Sequence, residues 1–122
     1  MEKYQQYGQM IKFFRQQKKM KQDELAVGIC TSSYLSRIEN GVVEAEQVVY
    51  ELLFERLSLN FEHYIQQQQA HEKFLEAFYE DLLSNKTIQT EQLQTLQQLY
   101  TTKEYPSLQI QVELLYARYL LS

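Results

Sequence analysis

Residues that punctuate a chain are scarce in this one: its 122 residues include three Gly, one Pro and no Trp. So few turn formers disfavour a sandwich or barrel and favour helices. A single Cys, Cys30, excludes an intramolecular disulfide framework and suits a reducing cytosol. No apolar run approaches the roughly 18 residues of a membrane span, and the stretch from Met1 to Gln9 lacks the apolar segment of a signal peptide. An overall cationic balance is missing too, and a formal net charge of −4 taken alone argues against a polyanionic partner. What is present is globular: 44% hydrophobic and 23% charged residues. The length allows one ordinary domain, or a small domain with a helical extension. The expectation is an all-α, cytoplasmic protein.

The whole-chain charge conceals an asymmetry. Residues 1–41 hold seven Lys/Arg against four acids, a surplus of +3, whereas residues 42–122 hold five bases against twelve acids, a deficit of −7. A cationic head on an acidic body is the pattern expected when one end meets nucleic acid and the other meets protein.

The head reads as three short helices. Tyr7, Met10, Ile11 and Phe14 recur at three and four, one stripe of an amphipathic helix running to Lys19. Lys18, Lys19 and Lys21 follow at its cationic C-terminal end. A second helix opens at Gln22, with Asp23 and Glu24 in its first turn, and Gly28 breaks it. Thr31, Ser32 and Ser33 offer hydroxyl caps for a third, Tyr34 to Asn40, whose Leu35 and Ile38 face inward and which Asn40-Gly41 ends. Two short helices about a tight Gly-containing turn, with a longer one in front, make a helix-turn-helix pattern.

The segment GQMIKFFRQQKKMKQDELAVGICTSSYLSRIENG (Gly8–Gly41) resembles the helix-turn-helix of the Cro/C1-type (XRE) DNA-binding family in its Arg, its Q-x-E-L-A and its S-R-I-E-x-G. Within that family, the shorter connection between the second and third helices resembles the peptide-responsive RRNPP regulators (Rap, Rgg, NprR, PlcR, PrgX). The tail LYTTKEYPSLQIQVELLYARYLLS looks like the opening of the degenerate tetratricopeptide (TPR) region of PlcR-type members. The resemblance implies a five-helix lambda-repressor-like domain followed by α-helical hairpins that start a TPR-like solenoid. It also implies an internal ion pair between Arg15 and Glu39, joining the first helix to the third. Two positions depart from the family pattern. Lys21 stands where Ser or Thr usually caps the second helix, and Ala45 stands where Pro often opens the fourth.

In a helix-turn-helix the second helix of the motif lies in the major groove, with its N-terminal residues on base edges. Here those are Ser32, Ser33 and Tyr34, with Thr31 at the cap and Ser36 and Arg37 one turn on. Serine is an undemanding reader, so discrimination rests mainly on Arg37, which can hold guanine O6 and N7 bidentately or clamp a phosphate without reading a base. Gln22, at the opening of the second helix, is assigned a phosphate oxygen by the resemblance. Lys12, Lys18, Lys19 and Lys21 are candidate non-specific contacts, against a default of plain solvation.

The second half reads as packing. A fourth helix, Glu46 to Leu57, carries Val48, Val49, Leu52, Leu53 and Phe54 toward the core. Asn60 caps a fifth bearing Phe61, Tyr64 and Ile65, and a sixth runs from His71 to Leu83. A seventh, about Thr90–Thr102, presents Leu93, Leu96, Leu99 and Tyr100, and Pro106 opens an eighth. An offset of 37 residues lays Leu75, Phe78, Tyr79, Leu82 and Leu83 on Val112, Leu115, Tyr116, Tyr119 and Leu120, near the TPR period. Repeat units need about three to be stable, so either the sequence is a truncated regulator or its last helices close against a second subunit.

Chemistry is sparse. Cys30 in the turn reads as a small hydrophobe. His63 and His71 lack zinc-like spacing, and no phosphate loop or nucleophile triad is recognisable. Glu72, Glu76, Glu80 and Asp81 read as a solvated acidic face. The expectation is a non-enzyme without metal or cofactor: a dimeric, sequence-specific transcriptional regulator. Residues 1–60 would bind double-stranded DNA, and residues 61–122 would link, dimerise or bind a partner, with a signalling peptide controlling a longer form. The alternatives are a short phage-type repressor or antitoxin-like protein, and an interaction module that keeps the fold without binding DNA.

Overall fold

A computed structural model describes residues 2–122, and within them every regular element is helical. The order is α1 (Lys3–Gln17), α2 (Gln22–Ala26), α3 (Ser32–Glu39), α4 (Gln47–Arg56), α5 (Phe61–Leu83), α6 (Thr90–Thr102), a 3-10 turn (Pro106–Leu108) and α7 (Gln109–Leu121). The chain divides into two compact units, residues 1–64 and 65–122.

In the first unit, α1 begins four residues before the apolar stripe, because Gln5 Oε1 accepts the Glu2 backbone N–H at 3.0 Å and closes the entry. It ends at Gln17, with Lys19 in a left-handed conformation (φ 56°), so the expected run to Lys19 is two residues too long. The missing cap of α2 is replaced from the other side: Glu24 Oε1 accepts the Lys21 backbone N–H at 3.2 Å, the carboxylate half of a capping box. Helix α3 starts at Ser32, earlier than the expected Tyr34, because Thr31 Oγ1 takes the Tyr34 N–H at 3.0 Å. Asn40 closes it, and Gly41 (φ 71°) supplies the left-handed residue beyond.

Helix α4 turns inward only part of the face expected, the part that holds Leu53 and Phe54. Tyr50, Leu53 and Phe54 are buried, and Leu57 just beyond, whereas Val48 and Leu52 are exposed. The Tyr50 hydroxyl accepts the Ala45 backbone N–H at 2.9 Å, a bond that proline at position 45 could not donate to. Tyr7, Tyr50, Phe54, Phe61, Phe14 and Tyr64 form a chain of mostly edge-to-face ring contacts with centroids 5.0–5.7 Å apart.

The separate fifth and sixth helices do not occur. Phe61–Leu83 is one helix of 23 residues, capped by Asn60 Oδ1 on the His63 N–H at 2.8 Å. Gln66 to Ala70 are all good helix formers with no Gly or Pro to break them. Within that stretch Gln68 is buried.

In the second unit, Leu75, Phe78, Leu96, Leu99, Leu108, Val112 and Leu115 form the core. Gln92 Nε2 donates to Asp81 Oδ2 at 3.0 Å, tying α6 to α5, so Asp81 is not the solvated acid expected. Burial holds the His71 imidazole below its ordinary pKa, with its ring edge-on to Tyr105 at 4.7 Å.

Gly8 fixes the closest approach in the first unit. A Cβ there would be driven far inside van der Waals contact with the Ile38 carbonyl oxygen of α3. Backbone cannot rotate aside as a side chain can. Gly8→Ala should therefore destabilise the chain by about 2 kcal/mol or more, despite the roughly 1 kcal/mol of helix propensity that alanine adds. Urea unfolding checks this: a Gly8→Ala midpoint at or above that of the original chain would show that α1 and α3 do not approach so closely.

Candidate nucleic-acid interface

Helix α3 is split cleanly by burial. Leu35, Ile38 and Glu39 are buried, while Ser33 and Arg37 are exposed one turn apart on the opposite side. Ser36 and Tyr34 flank them half-buried, Ser32 is half-buried at the first position, and Thr31 is exposed at the cap. The segment Thr31–Arg37 thus presents hydroxyls, one phenol and one guanidinium outward from a helix N-terminus. The Arg37 guanidinium makes no hydrogen bond or ion pair to another described residue. Lys12 and Lys21 are exposed on α1 and just before α2, as are Lys18 and Lys19.

What holds this face outward is polar and internal. Glu39 is only 5% exposed, and three donors answer its carboxylate. Arg15 Nε donates to Oε2 at 2.7 Å, Arg15 Nη2 to Oε1 at 2.9 Å, and Gln22 Nε2 to Oε1 at 3.0 Å. Arg15 Nη1 also donates to the Met20 carbonyl at 2.9 Å, closing the end of α1. Hydrogen bonding to Glu39 raises the Arg15 pKa above its ordinary value, so the guanidinium stays charged. Arg15 and Glu39 therefore lie inside the unit, bridging α1 and α3.

Gln22 departs from the expected simple phosphate ligand. Its carboxamide is half-buried and commits one N–H to Glu39, so α1, α2 and α3 meet at a single carboxylate. Arg56 was not singled out in the sequence at all. From the last turn of α4 it donates to the Leu25 carbonyl at 3.0 Å and also to the Val27 carbonyl, clamping the turn between α2 and α3. A cation at a helix C-terminus looks like ordinary dipole compensation, so nothing local reveals the long-range bond. Cys30 is half-buried in this turn, and burial pushes its thiol pKa up, the condition of an unreactive packed thiol.

Among the described residues no group of three or more His, Cys, Asp or Glu could hold a metal ion, and no helix is long and apolar enough to cross a membrane.

Removing one member of the ion pair strands the other in a half-dry site. Glu39→Met and Arg15→Met should each cost about 3–5 kcal/mol. The double variant should be clearly less destabilised than their sum, because the orphaned charge is gone. Denaturant unfolding of the four chains measures the coupling, and strictly additive losses would mean that the two charges do not sense one another.

Residues 11–62 match a family model described as helix-turn-helix. No curated protein and no solved structure matches the chain. The matched span starts within α1 and ends within the first turn of α5, and so contains Arg15, Gln22, Glu39, Arg56 and the whole outward face of α3. The match covers less than half of the chain, and it agrees with the geometry of α1 to α3 on a helix-turn-helix there.

Proposed function

We propose that this chain is a sequence-specific transcriptional regulator that binds double-stranded DNA as a dimer, with α3 in the major groove. The observation that carries the reading is the placement of Ser33 and Arg37: fully outward, unengaged, and one turn apart on a helix whose other face is buried. Arg37 is proposed to read a guanine, with Ser32, Ser33, Tyr34 and Ser36 on neighbouring base edges or on phosphates, and Thr31 beside them. Lys12 and Lys21 would meet phosphate oxygens, and the remaining N–H of the Gln22 carboxamide would do the same while Glu39 fixes its partner. One such helix reads too few base pairs alone, so two copies are expected on half-sites about 34 Å apart.

Residues 1–60 are proposed as the DNA-binding domain and residues 61–122 as the linking and partner-binding segment. Its relation to the RRNPP regulators, with a signalling peptide acting through TPR-like helices, is supported by a repeated burial pattern. Leu75 and Phe78 on α5 are buried, as are Val112 and Leu115 at the same spacing on α7. The outer Leu83 and Leu120 are both exposed.

Quantitative DNA binding tests the reading, using a duplex selected from a random pool and two or more salt concentrations. Affinity should fall steeply with salt, with a slope near 0.9 for each phosphate contact. Arg37→Ala should cost about 1–3 kcal/mol and flatten preference at one base pair. Lys21→Ala should instead weaken all sequences alike and lower the slope by about one contact. A folded chain that binds no duplex at low salt would overturn the regulator and leave a protein-interaction module, the alternative that the acidic residues 42–122 favour.

A further inference from the structure

Helix α7 is apolar on two opposite faces. It buries Val112 and Leu115, yet Ile110, Leu114 and Leu121 are 73, 67 and 89% exposed. With the exposed Ala117 these residues follow spacings of four, three and four. At about 100° per residue they form one narrow stripe directly opposite the buried face. That spacing is a coiled-coil seam, with Leu114 and Leu121 at a positions and Ile110 and Ala117 at d positions.

The charges beside the seam determine what can cover it. In this register Glu113 occupies a g position and Arg118 the e position of the next heptad, five residues on, and both are exposed. Neither forms an ion pair with another described residue. Arg118 lies over the Tyr79 ring at 5.3 Å from its centroid, on the wall of a groove of about 790 Å³ that Tyr79, Ile110 and Leu114 also line. When two identical helices pair in parallel, each g residue faces the partner's following e residue. Glu113 would then meet the partner's Arg118, and the two-fold axis would repeat the bond. Antiparallel pairing would set Glu113 against the partner's Glu113 and Arg118 against the partner's Arg118, opposing like charges.

We propose that this outward face of α7 is a self-association surface, on which a second copy of the chain lays its own α7 in parallel about a two-fold axis. The proposal deepens the dimeric reading above and rests on it for the expectation of a second copy. It adds which face pairs, in which direction, and through which two charges.

The test is sedimentation equilibrium on the full chain, with circular dichroism to verify that each variant keeps its helices. All substituted positions are exposed, so folding should survive. Leu114→Glu should weaken the dimer by about 100-fold. Glu113→Arg and Arg118→Glu should each weaken it by about tenfold. An equimolar mixture of those two should recover a dimer of original affinity, because every facing pair is again of opposite sign. A chain that stays monomeric at about 100 μM, or a dimer indifferent to Leu114→Glu, overturns the surface. Loss on Leu114→Glu without loss on either charge reversal overturns the parallel arrangement. Duplex binding on the same samples separates the two proposals. A dimer that ignores Leu114→Glu but still binds a two-half-site duplex sinks this surface and spares the regulator. A dimer that depends on Leu114 but binds no duplex does the reverse.

Discussion

A carboxylate removed from water must be met by donors or left uncharged, and in the first unit the buried Glu39 carboxylate is met by three, from two residues. Arg15 brings the end of α1 to it and Gln22 brings the start of α2, while Glu39 itself closes α3. Three helices are therefore indexed to one another by a single group with strict distance and angle demands. Apolar packing alone would not fix the rotation of α3 so sharply, because Leu35 and Ile38 tolerate small rolls against their neighbours. Gly8 acts with the ion pair: with no side chain it lets α1 close on the Ile38 carbonyl, near enough for Arg15 to reach Glu39. The outward direction of Ser33 and Arg37 follows from these inward constraints. Function at the surface is set by electrostatics in the interior.

Local signals were enough for the elements whose ends carry their own chemistry. Asn40-Gly41, Asn60 and the Thr90–Thr102 helix stand where caps and apolar spacing place them, because those interactions span only a few residues. Elements decided by distant partners were not legible in the same way. Val48 and Leu52 are as apolar as Leu53, but Tyr50 is anchored by the Ala45 N–H and rolls α4 so that they face water. The division expected between a fifth helix that carries Gln66–Gln69 and a sixth from His71 does not occur, because no Gly, Pro or capping residue at Ala70 stops a run of strong helix formers. At the site, the residues on the outer face of α3 could be picked out from spacing alone, whereas the second duty of Gln22 and the clamp made by Arg56 depend on partners 17 to 31 residues away.

The two units use their charge differently. The first pairs its buried acid with Arg15 and leaves its lysines and Arg37 exposed, as a surface meeting a polyanion requires. The second binds some of its acids internally, through Gln92 on Asp81 and Gln109 on Glu113, and places the exposed Arg118 beside an apolar stripe. Net charge over the whole chain averages these opposite arrangements and describes neither.

A short seam has an energetic consequence for DNA binding. Four seam residues on each copy bury little area compared with the roughly 800 Å² per partner of a stable interface, so pairing through α7 alone would be modest and concentration-dependent. Binding of the first half-site would hold the second copy at high local concentration, and the duplex would then complete a dimer that is only partly formed in solution. By linkage, whatever strengthens pairing strengthens DNA binding by the same factor, and whatever covers the α7 stripe weakens both. Such a chain would be controlled at α7 without any change in α3, whose orientation is already fixed by Glu39. Recognition and control would then reside in separate helices, one held rigid by a buried charge and the other left sticky by an unburied stripe.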